Sequence, residues 1–200
     1  MGIARNMWAR SGLGDRLRPA ATVLTGFLFV VWSIEVVDQL AFGSSLDKWG
    51  TTPRTLWGLV GIPITPLLHG SFSHLAANSV PLFVLGLIIG LRGVRTLIHT
   101  TLIVTLVGGA GVWLFARSVT HIGASGLVFG YFGYLIARGF FDKRIRSLLV
   151  GVGVLVLYGG LFWGVLPHSD GVSWEGHLFG LIAGVVSAKV LSQRSPEVVL

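Results

Sequence analysis

Long uncharged runs alternate with short charged clusters along almost the whole chain. Four runs of 17 to 23 residues contain no charged side chain, namely residues 75–91, 96–116, 118–137 and 147–169. A helix needs about 20 predominantly apolar residues to cross a lipid bilayer. Each of the four runs therefore predicts a membrane-spanning helix.

Two further runs predict spans although charged residues lie near their ends. Residues 20–39 form a span if Glu35 and Asp38 lie at the membrane interface, and residues 174–191 form one if the Lys189 side chain extends to the interface. The prediction is therefore six spans. A cleaved signal peptide is disfavoured for the first run, because the segment before it is long and no clear small-residue cleavage site follows.

The stretch of residues 55–69 is also uncharged, but prolines and glycines interrupt it, among them Gly58, Gly61, Pro63 and Pro66. Backbone groups freed by such breaks must find partners inside the protein or in water. We expect this stretch to be a loop in or on the outer membrane interface.

The composition supports a membrane protein. Apolar residues make up 52% of the chain, another 29 residues are glycine, and only 12% are charged, whereas a soluble domain carries about 25% charged residues. We expect an all-α, polytopic transmembrane domain over residues 20–191, a basic cytoplasmic segment over residues 1–19 and a short cytoplasmic tail over residues 192–200. Because cysteine is absent, thiol nucleophiles, disulfides and thiolate metal sites are excluded.

The net charge of +7 does not indicate nucleic acid, because the charges stand between the apolar runs rather than on one face of a folded domain. Lysine and arginine are enriched in cytoplasmic loops of membrane proteins. With the amino terminus in the cytoplasm, 12 of the 15 basic residues lie inside. The three outside are Lys48, Arg54 and Arg117. Both termini are therefore expected in the cytoplasm.

Polar residues open the second, fourth and sixth spans, all of which run from outside to inside. They are His74 and Asn78, Ser125, and His177. Polar groups within spans are costly and indicate function by default. Simpler interpretations stay open for each: an interfacial polar pair for His74 and Asn78, a packing residue for Ser125, and a proton relay or ion site for His177.

Glycines follow helical stripes in the fourth and sixth spans, a pattern that lets two helix backbones approach closely. The stripes consist of Gly126, Gly130 and Gly133 in one span and of Gly176, Gly180 and Gly184 in the other. Close approach of these helices would bring Ser125 and His177 together, although helix packing alone would use the same stripes.

These residue types suit acyl transfer. A serine becomes a nucleophile when a neutral histidine lies within hydrogen-bond reach, and the developing oxyanion needs preorganised donors. Ser125 opens a helix, where backbone N–H groups have no partner within the helix, and His74 and Asn78 offer side-chain donors.

At these positions the chain resembles the rhomboid family of intramembrane serine proteases, in its bacterial six-span form. The resemblance rests on the six-span plan and on three motifs in this order: His69 with His74-x-x-x-Asn78, then Gly123-x-Ser125-Gly126, then Gly176-His177-x-x-Gly180-x-x-x-Gly184. It covers roughly residues 20–190.

The resemblance implies a Ser–His dyad in which Ser125 attacks the scissile carbonyl and His177 acts first as base and then as acid. It also implies that His74, Asn78 and the Ser125 amide hold the oxyanion. The implied substrates are transmembrane segments of other proteins in a bacterial plasma membrane, cut near the outer face without metal or cofactor. A helical backbone holds its carbonyls in hydrogen bonds, so we expect small or helix-breaking residues at the outer end of the substrate.

Two departures concern the surroundings of this site. Many rhomboids carry a tyrosine where this chain has Phe129, which can stack on the histidine but has no hydroxyl group. The first outer loop, about residues 40–73, lacks the Trp-Arg pair of many bacterial members, which leaves lateral gating open. His121 matches no motif, and we expect a loop role for it.

Three other functions compete with the protease. One is an inactive rhomboid-like protein that binds membrane helices, although such relatives lack the serine or the histidine. A second is a small transporter or channel that uses intramembrane histidines, which predicts paired discontinuous spans that the sequence does not show. A metalloprotease is the third, but no H-E-x-x-H motif or cysteine ligand set occurs.

Overall fold

A computed structural model describes residues 12–167 and 172–192, and within these ranges the chain is helical and contains no β-strand. The α-helices are α1 Leu13–Val37, α2 Leu56–Ile64, α3 Phe72–Gly90, α4 Val94–Ile103, α5 Gly109–Phe115, α6 Ser125–Phe141, α7 Ile145–Tyr158 and α8 Trp174–Ser192. The last two residues of the predicted fifth span lie outside the described residues, as do most of the predicted terminal segments.

Four helical runs are long and apolar enough to cross a membrane. They are Leu13–Phe42, Phe72–Gly90, Val94–Phe115 and Ile145–Val165. A turn of π-helix over Val104–Gly108 joins α4 to α5, so the predicted third span is one continuous helix. The first helix begins seven residues before the predicted span, at Leu13 instead of residue 20. The chain is therefore an integral membrane protein.

The predicted fourth span is shorter than the sequence suggested. Residues 118–124 are not helical, and α6 begins at Ser125 and has 17 residues. The backbone at Gly123 has a φ of 113°, a value that glycine adopts readily and that other residues rarely adopt. The regular helix therefore cannot extend back through Gly123. Before it, the backbones of Thr51 and His121 pair as an isolated antiparallel bridge. This pairing holds the loop in an extended conformation.

The prediction of a loop over residues 55–69 was wrong, because most of this stretch is helical. The Thr55 hydroxyl accepts a hydrogen bond from the Gly58 N–H at 2.9 Å and caps α2, a helix of nine residues. Pro63 lies in the last turn, and the helix ends one residue after it, at Ile64. A Cβ on Gly58 would overlap the Thr52 carbonyl, so glycine lets α2 lie directly against residues 50–52. At nine residues α2 is too short to cross a membrane.

Helix α6 lies at the centre of the bundle, where it packs against α3, α4, α7 and α8. Within about one turn it contributes three fully buried aromatic rings, from Tyr131, Phe132 and Tyr134. At its carboxyl end Arg138 and Arg92 both pair with Asp142, at 2.8 and 2.6 Å. These ion pairs fix the carboxyl end of α6 among the helices that surround it.

Candidate active site

Ser125 is the first residue of α6, directly after the turn at Gly123. An ideal Cβ placed on Gly123 would lie 3.2 Å from His74 Nε2 and 3.8 Å from Ser125 Oγ. The His74 ring and the Ser125 hydroxyl therefore both face the space that the missing side chain leaves. The amides of the first helical turn point the same way as the positive end of the helix dipole. The predicted nucleophile and one predicted oxyanion donor thus border one small space.

The glycine stripes of α6 and α8 meet as the sequence predicted. A Cβ on Gly180 would overlap the Gly126 carbonyl, and one on Gly184 would overlap the Gly130 carbonyl. The first turns are also adjacent, because a Cβ on Gly126 would lie 3.5 Å from the Gly176 carbonyl oxygen. Ser125 and His177 are the chain neighbours of Gly126 and Gly176, so the contact brings together the two turns that carry them.

The His177 ring is oriented by two contacts. Its Nδ1 lies 2.8 Å from the carbonyl oxygen of Gly164, and because a carbonyl only accepts hydrogen bonds, Nδ1 carries the proton. Nε2 is then the basic nitrogen. The ring also stacks on Phe129, with centroids 4.0 Å apart and an interplanar angle of 6°. His177 is buried at 6% exposure, so ring orientation is fixed by protein contacts.

Asn78 lies one turn after His74 on α3 and is buried. Within the described part of the chain, its Nδ2 has no hydrogen-bond partner. A buried donor without an acceptor destabilises the fold by about 1–3 kcal/mol. Such a group suits a site where an anionic acceptor appears during a reaction.

His69 connects the segment before α3 to the residue before the serine. Its Nε2 accepts a hydrogen bond from the Ala124 N–H at 3.1 Å, and its ring meets the His74 ring edge to face at 5.1 Å. Burial, together with the neighbouring His74, lowers the pKa of His69 to about 4. The neutral ring at physiological pH can therefore keep accepting this hydrogen bond and hold the turn before Ser125.

A cavity of about 50 Å³ opens beside Ser125. Gly123, Gly126 and Gly180 line it together with Thr65, Thr105 and Ser173. Among the described residues His177, His74 and Asn78 do not line this cavity, so it adjoins one side of Ser125 only. No group of three His, Asp or Glu side chains in the described ranges is arranged to hold a metal ion.

Two site features were not found from the sequence. The Gly164 carbonyl that orients His177 belongs to the backbone, and no residue type signals it. Ser173, which precedes α8, contacts His121 at 2.6 Å, and an isolated serine in a loop carries no pattern. The expected loop role of His121 is confirmed, since its backbone pairs with Thr51 and its side chain is buried.

Comparisons with known proteins agree with these features. The family model described as Rhomboid domain matches residues 53–194. The uncharacterized protein Rv1337 of Mycobacterium tuberculosis is 41% identical over 185 residues, which cover 88% of this chain and 75% of that protein. The uncharacterized protein ML1171 of Mycobacterium leprae is also 41% identical, over 88% of this chain and 72% of its own length.

A more distant relative carries a family name. The putative rhomboid protein L523 of Acanthamoeba polyphaga mimivirus is 24% identical over 168 residues, which cover 79% of this chain and 88% of that protein. The matched region contains every residue of the candidate site, from His69 to Gly184. On this family match, the chain belongs to the rhomboid family.

Proposed function

We propose that the protein is an intramembrane serine endopeptidase that cuts transmembrane segments of other membrane proteins near the outer face of the membrane. The observation that carries the proposal is the orientation of His177 by the Gly164 carbonyl and the Phe129 ring, on a helix turn that adjoins the turn of Ser125. Nδ1 holds the proton, and Nε2 is the nitrogen that accepts one.

In the first step, the Ser125 hydroxyl transfers its proton to His177 Nε2 while Oγ bonds to the scissile carbonyl carbon. The carbonyl oxygen becomes an oxyanion, which the Asn78 amide, the His74 ring and the Ser125 backbone N–H stabilise. The C–N bond then breaks, and His177 returns its proton to the leaving amine. An acyl-enzyme ester on Ser125 is the product of this half-reaction.

In the second half-reaction, water replaces the amine. His177 takes a proton from the water as its oxygen bonds to the ester carbon, and the same three donors stabilise the second oxyanion. When the C–Oγ bond breaks, the proton returns to Ser125 and the new carboxyl terminus leaves. The unpartnered Nδ2 of Asn78 supports the oxyanion role, because it is a buried donor that the resting fold does not use.

The proposal includes six spans, with α6 and α8 crossing the membrane beside the four long apolar helices. Both are packed against protein over much of their surface, which explains why they need less apolar surface than helices that face lipid. Lysine and arginine placement favours both termini in the cytoplasm, and the mycobacterial relatives favour a bacterial plasma membrane. The transmembrane protease domain is proposed to span residues 20–191.

Cleavage of model substrates in liposomes tests this function. One substrate carries a single transmembrane segment whose outer end is rich in Gly and Ala, and its matched control carries leucines there. We expect the wild-type protein to cut the first substrate near its outer end and to spare the second, because a regular helix shields its carbonyls. Ser125→Ala is expected to cut neither. Cleavage that persists in purified Ser125→Ala would overturn the proposal, and so would uncut substrate across a panel of helix-breaking sequences.

A further inference from the structure

A cluster of four residues, which we name the α8 clamp, joins the loop before α6 to the start of α8. Its members are Arg117, His121, Ser173 and Glu175. The Arg117 guanidinium lies 3.3 Å from the Glu175 carboxylate and donates a hydrogen bond to the Val172 carbonyl at 2.6 Å. On the same loop, the His121 ring reaches Ser173. The clamp therefore holds both sides of the point where α8 begins.

The direction of the hydrogen bond between His121 and Ser173 follows from the other nitrogen of the ring. His121 Nε2 lies 3.1 Å from the Arg117 carbonyl oxygen, which only accepts, so Nε2 carries the proton. Nδ1 is then an acceptor, and the Ser173 hydroxyl donates to it at 2.6 Å. Burial lowers the pKa of His121, which keeps the ring in this neutral form.

Ser173 passes this restraint to the helix. Its Oγ accepts a hydrogen bond from the Gly176 N–H at 3.1 Å, as a helix-capping serine does. Its backbone carbonyl accepts from the His177 N–H at 3.2 Å. The Ser173 hydroxyl donates to His121 and accepts from the Gly176 N–H, and these two hydrogen bonds together fix its orientation. The first turn of α8, which carries His177, is thereby fixed relative to His121.

His121 is itself anchored. Its backbone N–H donates to the Thr51 carbonyl at 2.9 Å and its carbonyl accepts from the Thr51 N–H at 3.0 Å. The same carbonyl accepts from the Thr65 hydroxyl at 3.2 Å. Hydrogen bonds to Thr51, in the segment before α2, and to Thr65 therefore fix the His121 backbone, and with it the position of the His121 ring. A displacement of about 1 Å in a catalytic group can slow a reaction about 10²-fold. The position of the first turn of α8 therefore matters for His177, the proposed base.

We propose that His121 and Ser173 are positioning residues, which act through the start of α8 to hold His177 in register with Ser125. This inference rests on the proposed function, because it assigns the two residues a role in the same reaction. Arg117 and Glu175 support the same helix start by charge.

The test measures how fast a fluorophosphonate, which loses fluoride as it bonds to an activated serine, labels the full-length protein in detergent. Two quantities are recorded: the labelling rate at saturating probe and the fraction labelled at the end point. A misfolded population lowers the end point, whereas a displaced base lowers the rate. We expect Ser173→Ala and His121→Leu each to lower the rate about tenfold with an unchanged end point.

Two variants serve as controls. Ser173→Thr keeps the hydroxyl and is expected to stay within about twofold of the wild-type rate. Thr55→Ala removes a comparable helix cap from α2, which carries no proposed site residue, and is expected to leave the rate within about twofold. The double variant His121→Leu with Ser173→Ala should be no slower than the slower single variant, because both changes break one connection.

Failure of the inference can be told apart from failure of the proposed function. If the wild-type protein is labelled on Ser125 and Ser173→Ala is labelled at the same rate, the positioning role is overturned and the protease proposal stands. A wild-type adduct on Ser173 would also overturn it, since Ser173 would then be a nucleophile. If the folded wild-type protein takes no label at all, both proposals fail.

Discussion

Helices α6 and α7 follow each other in the chain, yet they have opposite surroundings. In α7 and the turn after it, only 11% of the most apolar stretch is buried, and its sequence is dominated by leucine, valine and glycine. Helix α6 is buried over most of its length and contains tyrosine, arginine and the candidate nucleophile. The hydropathy of these two helices therefore follows how much protein surrounds each of them, and the candidate nucleophile lies on the more buried one.

The largest effect is expected for the variant Asn78→Leu. The change replaces an unpartnered buried amide with an apolar side chain of similar size. We expect stability to be equal or higher, while the rate of substrate cleavage falls by about 10²–10³-fold because one oxyanion donor is lost. Thermal unfolding in detergent and the liposome assay measure the two effects. A joint loss of stability and activity would contradict the assigned role.

The next largest effect is expected on the pH dependence of stability, through the buried His69 side chain. His69 has its pKa lowered to about 4 by burial, whereas an unfolded histidine titrates near 6.5. Between these values the unfolded state binds more protons, so stability rises with pH and is lost on acidification from 6.5 to 4. The effect is on the order of 3 kcal/mol.

Unfolding curves from pH 4 to 7 of the wild-type protein and of His69→Gln check this expectation. Glutamine can still accept from the Ala124 N–H but does not titrate, so its curve should be flatter. Burial lowers the pKa of His121 in the same direction, which leaves some slope in the variant. Parallel curves for the two proteins would be inconsistent with a buried neutral His69.

A pair of glycine substitutions compares the two regions directly. A Cβ on Gly184 in α8 would overlap the Gly130 carbonyl, whereas one on Gly153 in α7 meets nothing within 4 Å. We expect Gly184→Ala to lower the free energy of unfolding by about 2–3 kcal/mol through overpacking. Gly153→Ala should be neutral or slightly stabilising, since alanine favours a helix over glycine. Equal effects would contradict the close contact of α6 and α8.

The smallest effect is expected for replacement of Phe129, whose ring stacks on the His177 imidazole. Phe129→Leu removes the stacking on His177, and such aromatic contacts contribute about 0.5–1.5 kcal/mol. The labelling rate of Ser125 should fall about threefold to tenfold, while Phe129→Tyr should keep it. Phe140→Leu is the matched control, because that ring is 78% exposed. A rate unaffected by Phe129→Leu would show that stacking does not orient the base.

These differences also explain which features could be predicted from the sequence. The glycine stripes and the polar residues that open the predicted even-numbered spans could be identified from the sequence. Helical spacing reveals the stripes, and the predicted topology reveals which polar residues lie at a similar depth. Ser125 was correctly predicted to open a helix. The uncharged run of residues 118–137 nevertheless included a loop, because residues 118–124 have the same uncharged composition as a span. The helix α2 was missed because prolines were counted as breaks, although Pro63 stands in a last turn.

Backbone partners mark the limit of such predictions. No residue type encodes that the Gly164 carbonyl meets His177, because any residue has a carbonyl. The carbonyl could come from any residue, but the position requires glycine, because a Cβ on Gly164 would lie only 2.7 Å from the Phe129 ring. His121 and Ser173 stand far apart in the chain, so their contact became visible only once α8 was seen beside the loop before α6.

The site of the fluorophosphonate adduct, located by mass spectrometry of the purified full-length protein, tests the central claim most directly. It requires no knowledge of the natural substrate. We predict one adduct, on Ser125, that is absent from Ser125→Ala and from His177→Ala. A well-folded wild-type protein without an adduct, or labelling of Ser125 that continues at the wild-type rate in His177→Ala, would contradict an activated Ser125 at the centre of this bundle.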